Sequence, residues 1–444
     1  MRLLLIQPRS EIERSYPISL AYISAQIRQL GHIVKKIDLN TTTEAELLRK
    51  VSDPEINAAL ISGSEFNPQW SLPYLEQEAI RLAALLKKNR KIKVFLSGPG
   101  PFLDKKRFIG QKCVDAVLPP PFFSCFTEAF VSAASRKNNT REEADETKIS
   151  GKRNSPSGDV CAGRADWNLF DIKKYSCSAA VEEYPYVPLI TSAGCSFSCA
   201  YCASPQLSGR KWVPRKAGDV ADEMMLLSRK HGAKAIIIED ENLLCRKSHL
   251  SALCKEISLR GIKLPLYCHN GLRPDLLDRK TLAMMRQAGF KGITLSIESL
   301  SPKDLFVLKR CRSPKRYIKH TIMIVKEAKR LGFSVGAYFL IGIPGQTTKE
   351  MYKQLADARR LGFETAHFSI LKTVTGSEFD VHGLESSAKN QKSLPFSELA
   401  IIRRRMYFIF YSQPDVLMKH IAFAVRHPSR LAALAKKAFH YLRQ

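Results

Sequence analysis

Six short apolar segments recur between residues 187 and 372, each separated from the next by a stretch of helical character. That alternation restricts the second half of the chain to one kind of architecture. The segments are VPLITSAG (187–194), AKAIIIED (233–240), LPLYCHN (264–270), GITLSIES (292–299), SVGAYFLIG (334–342) and TAHFSILK (365–372). Runs this rich in Ile, Val, Tyr and Phe read as buried strands. Stretches such as DVADEMMLLSRKHG, TLAMMRQAGF and RYIKHTIMIVKEAKRLGF lie between them, with Gly232, Gly289 and Gly332 at helix ends, where glycine commonly closes a helix. Repeated strand–helix units imply a full or partial parallel barrel of up to six units, with chemistry on the loops that follow the strands.

The first 130 residues show the same alternation on a smaller scale. RLLLIQP, HIVKKIDL, AALISGS, KVFLSGPG and VDAVLPP read as strands. The first helix carries Leu20, Ile23, Ile27 and Leu30 on one face and stops at Gly31. The expectation is a doubly wound, Rossmann-like parallel sheet, with ligand-bearing loops at Gln7–Tyr16, Ser62–Trp70 and Ser97–Phe102. From Ser132 to Ala165 the sequence is polar and aperiodic, as a linker is. The expected α/β organisation is therefore a sheet domain over 1–131, a linker over 132–165, a partial barrel over 166–380, and a basic helical region over 381–444.

The 444 residues suffice for two or three cores. No apolar run approaches the roughly 20 residues of a membrane-spanning helix, and the opening MRLLLIQPRSEIER is too short in its apolar part for a secretory signal. Eleven cysteines at irregular spacing then suggest a reducing cytoplasm, with thiols used for metal or buried. Seventy Lys+Arg against 42 Asp+Glu give a formal net charge of +28, a balance that favours anionic partners. The charge is densest in residues 401–444, with nine Lys/Arg against one acid, Asp415. A basic amphipathic end can lie on an anionic bilayer, giving a membrane-peripheral location. It can equally pack its apolar face on the protein and leave its cations in water.

Chemistry concentrates in GCSFSCAYCASP, where Cys195, Cys199 and Cys202 bring three thiols together without a fourth. A structural zinc site needs four protein ligands, whereas a four-iron cluster held by three thiolates keeps one iron open. A zinc site closed by a distant residue and a chance group of core cysteines are the plainer readings. Further polar residues fall at the ends of the later strands: Asp240, Glu241, Arg273, Glu298, and the turn Gly342-Ile343-Pro344-Gly345. Each has an ordinary alternative, as a helix cap, a solvated loop charge or a simple turn.

The cysteine run, with Tyr201 just before its last member, resembles the signature of the radical S-adenosylmethionine (SAM) enzymes. IEDENLL, GLRPDLLDRKTLAMMRQAGF, LSIESLSPKDLFVLKR and FLIGIPGQT extend the likeness over residues 185–375. The first 130 residues, through YPISLAYISAQIRQLGHIVKKIDLN, resemble the cobalamin-binding domain of one large group of these proteins. They depart from that group at LPPPFFSCFTEAF (118–130), and no Asp-x-His-x-x-Gly motif for cobalt is present. The resemblance implies a 4Fe-4S cluster on Cys195, Cys199 and Cys202, with SAM and cobalamin as further cofactors. It implies SAM contacts from Asp240 and Glu241 to the amino group, Glu298 to the ribose and Gly342–Pro344 to the adenine, with Tyr201 and Arg273 beside them.

The reaction so implied is reductive cleavage of SAM to a 5′-deoxyadenosyl radical that takes hydrogen from a small-molecule or lipid substrate, with cobalamin-dependent C-methylation as its outcome. A flavodoxin- or ferredoxin-type one-electron donor is implied as a partner. Two alternatives are an RNA-modifying methylthiotransferase-like enzyme and a non-catalytic cluster or cobalamin sensor. The first places extra cluster cysteines near the N-terminus, yet residues 1–112 contain none, so nucleic acid is not an expected partner.

Overall fold

A computed structural model describes residues 1–10, 15–63, 73–121, 125–135, 163–175, 181–208, 211–381 and 394–428. Most of the expected linker, the tips of the loops after the first and third strands, residues 209–210 and the last sixteen residues lie outside the described residues. The chain forms two units, one built mainly from Met1–Tyr175 and the other mainly from Ser176 onward.

The first unit is a five-stranded parallel sheet. Its strands are β1 (Arg2–Gln7), β2 (Ile33–Asp38), β3 (Ala58–Ser62), β4 (Lys93–Ser97) and β5 (Ala116–Leu118), in spatial order β2-β1-β3-β4-β5. Leu3–Ile6 and Ala58–Ile61 are wholly buried, as strands covered on both faces must be. Among the helices that went unread in the sequence, Glu44–Val51 starts where the Thr43 side chain accepts the Glu46 N–H, and Cys125–Ser135 takes in the later residues of the segment that departs from the cobalamin-binding pattern and the first residues of the expected linker.

The segment 166–175, expected to lead into the barrel, packs instead on the first unit. Trp167, Phe170 and Tyr175 gather around Tyr16 with ring centroids 5.1–6.2 Å apart. The buried Tyr175 hydroxyl donates to Asp38, and Asp166 accepts from Ser24 at 2.7 Å. Aromatic burial with satisfied polar ends explains why this stretch stays with the first core.

The main sheet of the second unit has six strands: β6 (Tyr186–Leu189), β7 (Ala235–Ile238), β8 (Leu266–Leu272), β9 (Phe290–Glu298), β10 (Ser334–Ile341) and β11 (Thr365–Ile370). They lie side by side in sequence order and every neighbouring pair is parallel. This is the partial barrel that the alternation implies. Gly232 ends its helix at φ 73, a left-handed conformation that only glycine adopts freely. The helix Phe396–Tyr411 covers the outer strand β11: Tyr407 accepts the Phe368 N–H at 3.2 Å, and Tyr411 donates to the Ala366 carbonyl at 3.3 Å. That satisfies backbone groups an exposed edge would leave open. No described helix is long and apolar enough to cross a membrane.

Candidate functional site

The loop between β6 and the short helix Ser204–Ser208 carries all three signature cysteines. Each sulfur receives a different donor. The Asn242 amide lies 3.6 Å from Cys195 Sγ, and the Ser204 backbone N–H lies 3.4 Å from Cys202 Sγ. Cys199 is approached by two guanidiniums, from Arg273 at 3.3 Å and Arg310 at 3.6 Å. Among the described residues, no three Cys, His, Asp or Glu side chains gather about a point that could hold one metal ion. Thiols that serve three separate irons of a cluster have no need to do so.

Burial raises the Cys202 thiol to about 12. Cys195 is also raised, first by a hydrogen bond shared with Cys245 and then by burial. Cys245 is lowered to about 7 by the same bond, as one member of a coupled thiol pair must give up its proton first. Read from sequence, Cys245 is an ordinary loop or core thiol; its contact with Cys195 comes from tertiary structure.

Glu298 ends β9 with φ 66, at a break in the β9–β10 register between Ser296 and Glu298. The bulge turns its carboxylate inward, where it accepts from the Tyr201 hydroxyl at 3.0 Å while only 4% exposed. Burial raises its pKa, opposed by Arg310 and then by the tyrosine. Tyr201 in turn accepts from Arg310 at 3.2 Å. The turn after β10 closes the group: Gly342 sits at φ 74, and its N–H donates to Gln346 Oε1 at 2.9 Å. Ile343 packs with Cys199, Ala200 and Tyr201 in one apolar cluster, and Pro344 beside it is buried.

Asp240 and Glu241 occupy different settings. The Asp240 carboxylate is filled by the Thr191 N–H at 2.6 Å, the Thr191 hydroxyl at 2.5 Å and the Ser192 hydroxyl at 2.6 Å. It ties the end of β7 to the segment after β6. Glu241 accepts the Gly194 N–H, and burial raises its carboxyl to about 7.

Arg310 went unread in the sequence. It lies twelve positions beyond Glu298, after the helix Pro302–Val307, and no local pattern singles it out. A cation following that helix, inside a segment already resembling a known family, is the signal that could have found it.

A parallel partial barrel with three thiols on its first loop and a buried carboxylate, two arginines and a glycine turn at later strand ends defines the class. Residues 189–358 match the radical SAM superfamily, so this stretch of the chain carries a radical SAM domain. An uncharacterized methyltransferase of Pyrococcus horikoshii is 24% identical over 95% of each chain. The cytidylyl-2-hydroxyethylphosphonate methyltransferase of Streptomyces wedmorensis is 28% identical over 48% of this chain and 41% of that protein. The structure of the radical SAM methyltransferase TsrM from Kitasatospora setae, with cobalamin and a [4Fe-4S] cluster bound, superposes with a TM-score of 0.69. That match covers 86% of this chain and 77% of TsrM at 15% identity, and so speaks for the fold.

Proposed function

We propose that this enzyme methylates a carbon of a small-molecule or lipid substrate, using a 4Fe-4S cluster, SAM and cobalamin. The observation that carries the reading is the Cys195–Cys202 loop. Its three sulfurs each receive an N–H donor, and Cys199 and Cys202 share one apolar cluster with Ile343. Donors aimed at sulfur suit thiolates, which are the cluster-binding form, so the residues present fit the group. Cys195, Cys199 and Cys202 would hold it. When bound, such a cluster supplies the single electron that reductive cleavage of a sulfonium requires, chemistry that no side chain supplies.

The chain's own residues bind, orient and exclude water. Glu298 and Tyr201 form a buried acceptor–donor pair suited to the hydroxyls of a ribose. Arg273 and Arg310 offer charge beside Cys199, where the polar end of SAM would lie. Gly342 lets its turn pack closely on the helix Phe396–Tyr411, because a side chain there would add a Cβ 2.6 Å from Leu399 Cδ1. Asp240 holds the cysteine-loop base in place through Thr191 and Ser192. Glu241, raised by burial to about 7, is partly protonated near neutral pH and in that form can donate a proton in a hydrogen bond.

Cobalamin is supported by the first unit. Its order β2-β1-β3-β4-β5 is the flavodoxin-like doubly wound arrangement, whose crevice opens between β1 and β3. The likeness to TsrM covers both units. A one-electron donor of flavodoxin or ferredoxin type would serve the cluster, and the basic C-terminal region would offer peripheral contact with an anionic membrane.

Anaerobic reconstitution with iron and sulfide, followed by reductant and SAM, tests the reading. About four irons per chain, 5′-deoxyadenosine formation and the cobalt absorption bands are expected together. A chain that takes up no iron would overturn it, and a loaded chain that never retains cobalamin would remove the methylation half.

A further inference from the structure

Arg310 is 5% exposed and Arg273 4% exposed, so two guanidiniums are buried beside one sulfur. They are compensated differently. Arg273 forms an ion pair with Asp275 at 2.8 Å and donates to the Arg310 carbonyl. Arg310 has no carboxylate within ion-pair distance among the described residues. Its donors go to Cys199 Sγ, the Tyr201 and Tyr317 hydroxyls, and the carbonyl and hydroxyl of Ser296. Glu298 acts on it only from beyond ion-pair distance, across the Tyr201 hydroxyl, and a buried cation without a direct ion pair is costly. The other two sulfurs receive neutral donors, among them the Asn242 amide on Cys195 and the Ser204 backbone N–H on Cys202.

We propose that Arg310, seconded by Arg273, sets the reduction potential of the cluster by concentrating positive charge on the Cys199 sulfur. The proposal rests on the reading that Cys195, Cys199 and Cys202 hold a 4Fe-4S cluster. Reduction adds one electron from the external donor and leaves the cluster one charge more negative. A fixed cation beside a ligand sulfur favours that more negative state, and hydrogen bonds to sulfur act in the same direction. The charge is placed on the cysteine between the other two, so it acts asymmetrically on the cluster. The Phe197 ring, whose centroid lies 3.9 Å from the Arg273 guanidinium carbon, helps keep water from screening it. Arg310 is thus a positioning residue that acts through Cys199.

The test is an EPR-monitored redox titration of the reconstituted full chain without SAM, with iron counted in each sample. Arg310→Gln should lower the reduction equilibrium constant at least tenfold, about 59 mV for one electron. Arg310→Lys, which keeps the charge but loses the fork, should fall by less than half of that. Arg273→Gln should shift in the same direction, and Asn242→Ala, which removes a neutral donor from Cys195, should move least. If Arg310→Gln fails to load, Arg310→Lys and Arg273→Gln must still show the downward shift. Unchanged potential at wild-type iron content would overturn the inference, as would a Lys variant as low as the Gln variant. So would an effect confined to SAM affinity. An iron-free wild-type chain would instead overturn the cluster reading on which the inference rests.

Discussion

Replacing Asp240 by Ala separates a structural tie from a cofactor contact. Three donors lie within 2.6 Å of this carboxylate, and one of them has somewhere else to go. The Thr191 hydroxyl lies 3.3 Å from His249 Nε2, whereas the Ser192 hydroxyl, which accepts from Trp212 Nε1 at 3.0 Å, loses the acceptor of its own proton. The Thr191 backbone N–H has no such recourse, which costs about 1–3 kcal/mol for an orphaned buried donor. Counting one further lost bond to a charged group at about 1.5–3 kcal/mol gives roughly 3–5 kcal/mol. Release of a buried carboxylate from desolvation offsets part of this, leaving about 2–3 kcal/mol. For a domain of this class that lowers Tm by roughly 4–10 °C. Asp240→Asn keeps acceptors for the backbone N–H and should cost only about 1 kcal/mol. Thermal unfolding of the apo chain, with hydrogen exchange followed at Thr191–Ala193, measures both variants. If Asp240→Ala melts within about a degree of wild type and its loss appears only in SAM binding, Asp240 contacts cofactor and the tie is refuted.

Three further outcomes follow from the same geometry. Cys245→Ser should keep full iron content and SAM cleavage, because only Cys195, Cys199 and Cys202 are assigned to the cluster; iron loss on this change would make Cys245 a ligand. Gly342→Ala should cost about 1–2 kcal/mol and weaken SAM binding, since it imposes a left-handed φ on an L-residue and crowds Leu399; equilibrium dialysis against SAM measures the loss, and wild-type binding would contradict it. Burial raises Glu241 from its ordinary range near 4.3 to about 7. The folded state therefore holds this proton longer than the unfolded state, and stability falls as pH rises through that window. Glu241→Gln should flatten the dependence of Tm on pH between about 4 and 7, and an unchanged slope would place the titration elsewhere.

The six barrel strands were readable because each is a short β-branched or aromatic run, and each preceding helix stops at a recognisable signal. The first sheet was readable on the same grounds. The helix Glu44–Val51 was missed because only Leu47 and Val51 are buried on it, too few to mark a periodic face. The segment 166–175 carries aromatic residues that suit either core, and only three-dimensional packing on Tyr16 and Asp38 decides between them. Within the site, the cysteines, Tyr201, Glu298 and the Gly342 turn were visible as local motifs. Sequence spacing does not say which side a carboxylate faces, so the occupied lone pairs of Asp240 were not. Arg310 and Cys245 were hidden for a related reason: each meets the cysteine loop only through a long-range contact.

The central claim is that Cys195, Cys199 and Cys202 hold the cluster that cleaves SAM. The most direct measurement is 5′-deoxyadenosine formation by the anaerobically reconstituted, reduced chain, compared with Cys199→Ala prepared in parallel. The account predicts product from the wild type and none from the variant, with the variant's iron content reduced as well. Continued product from Cys199→Ala at wild-type iron content would contradict it.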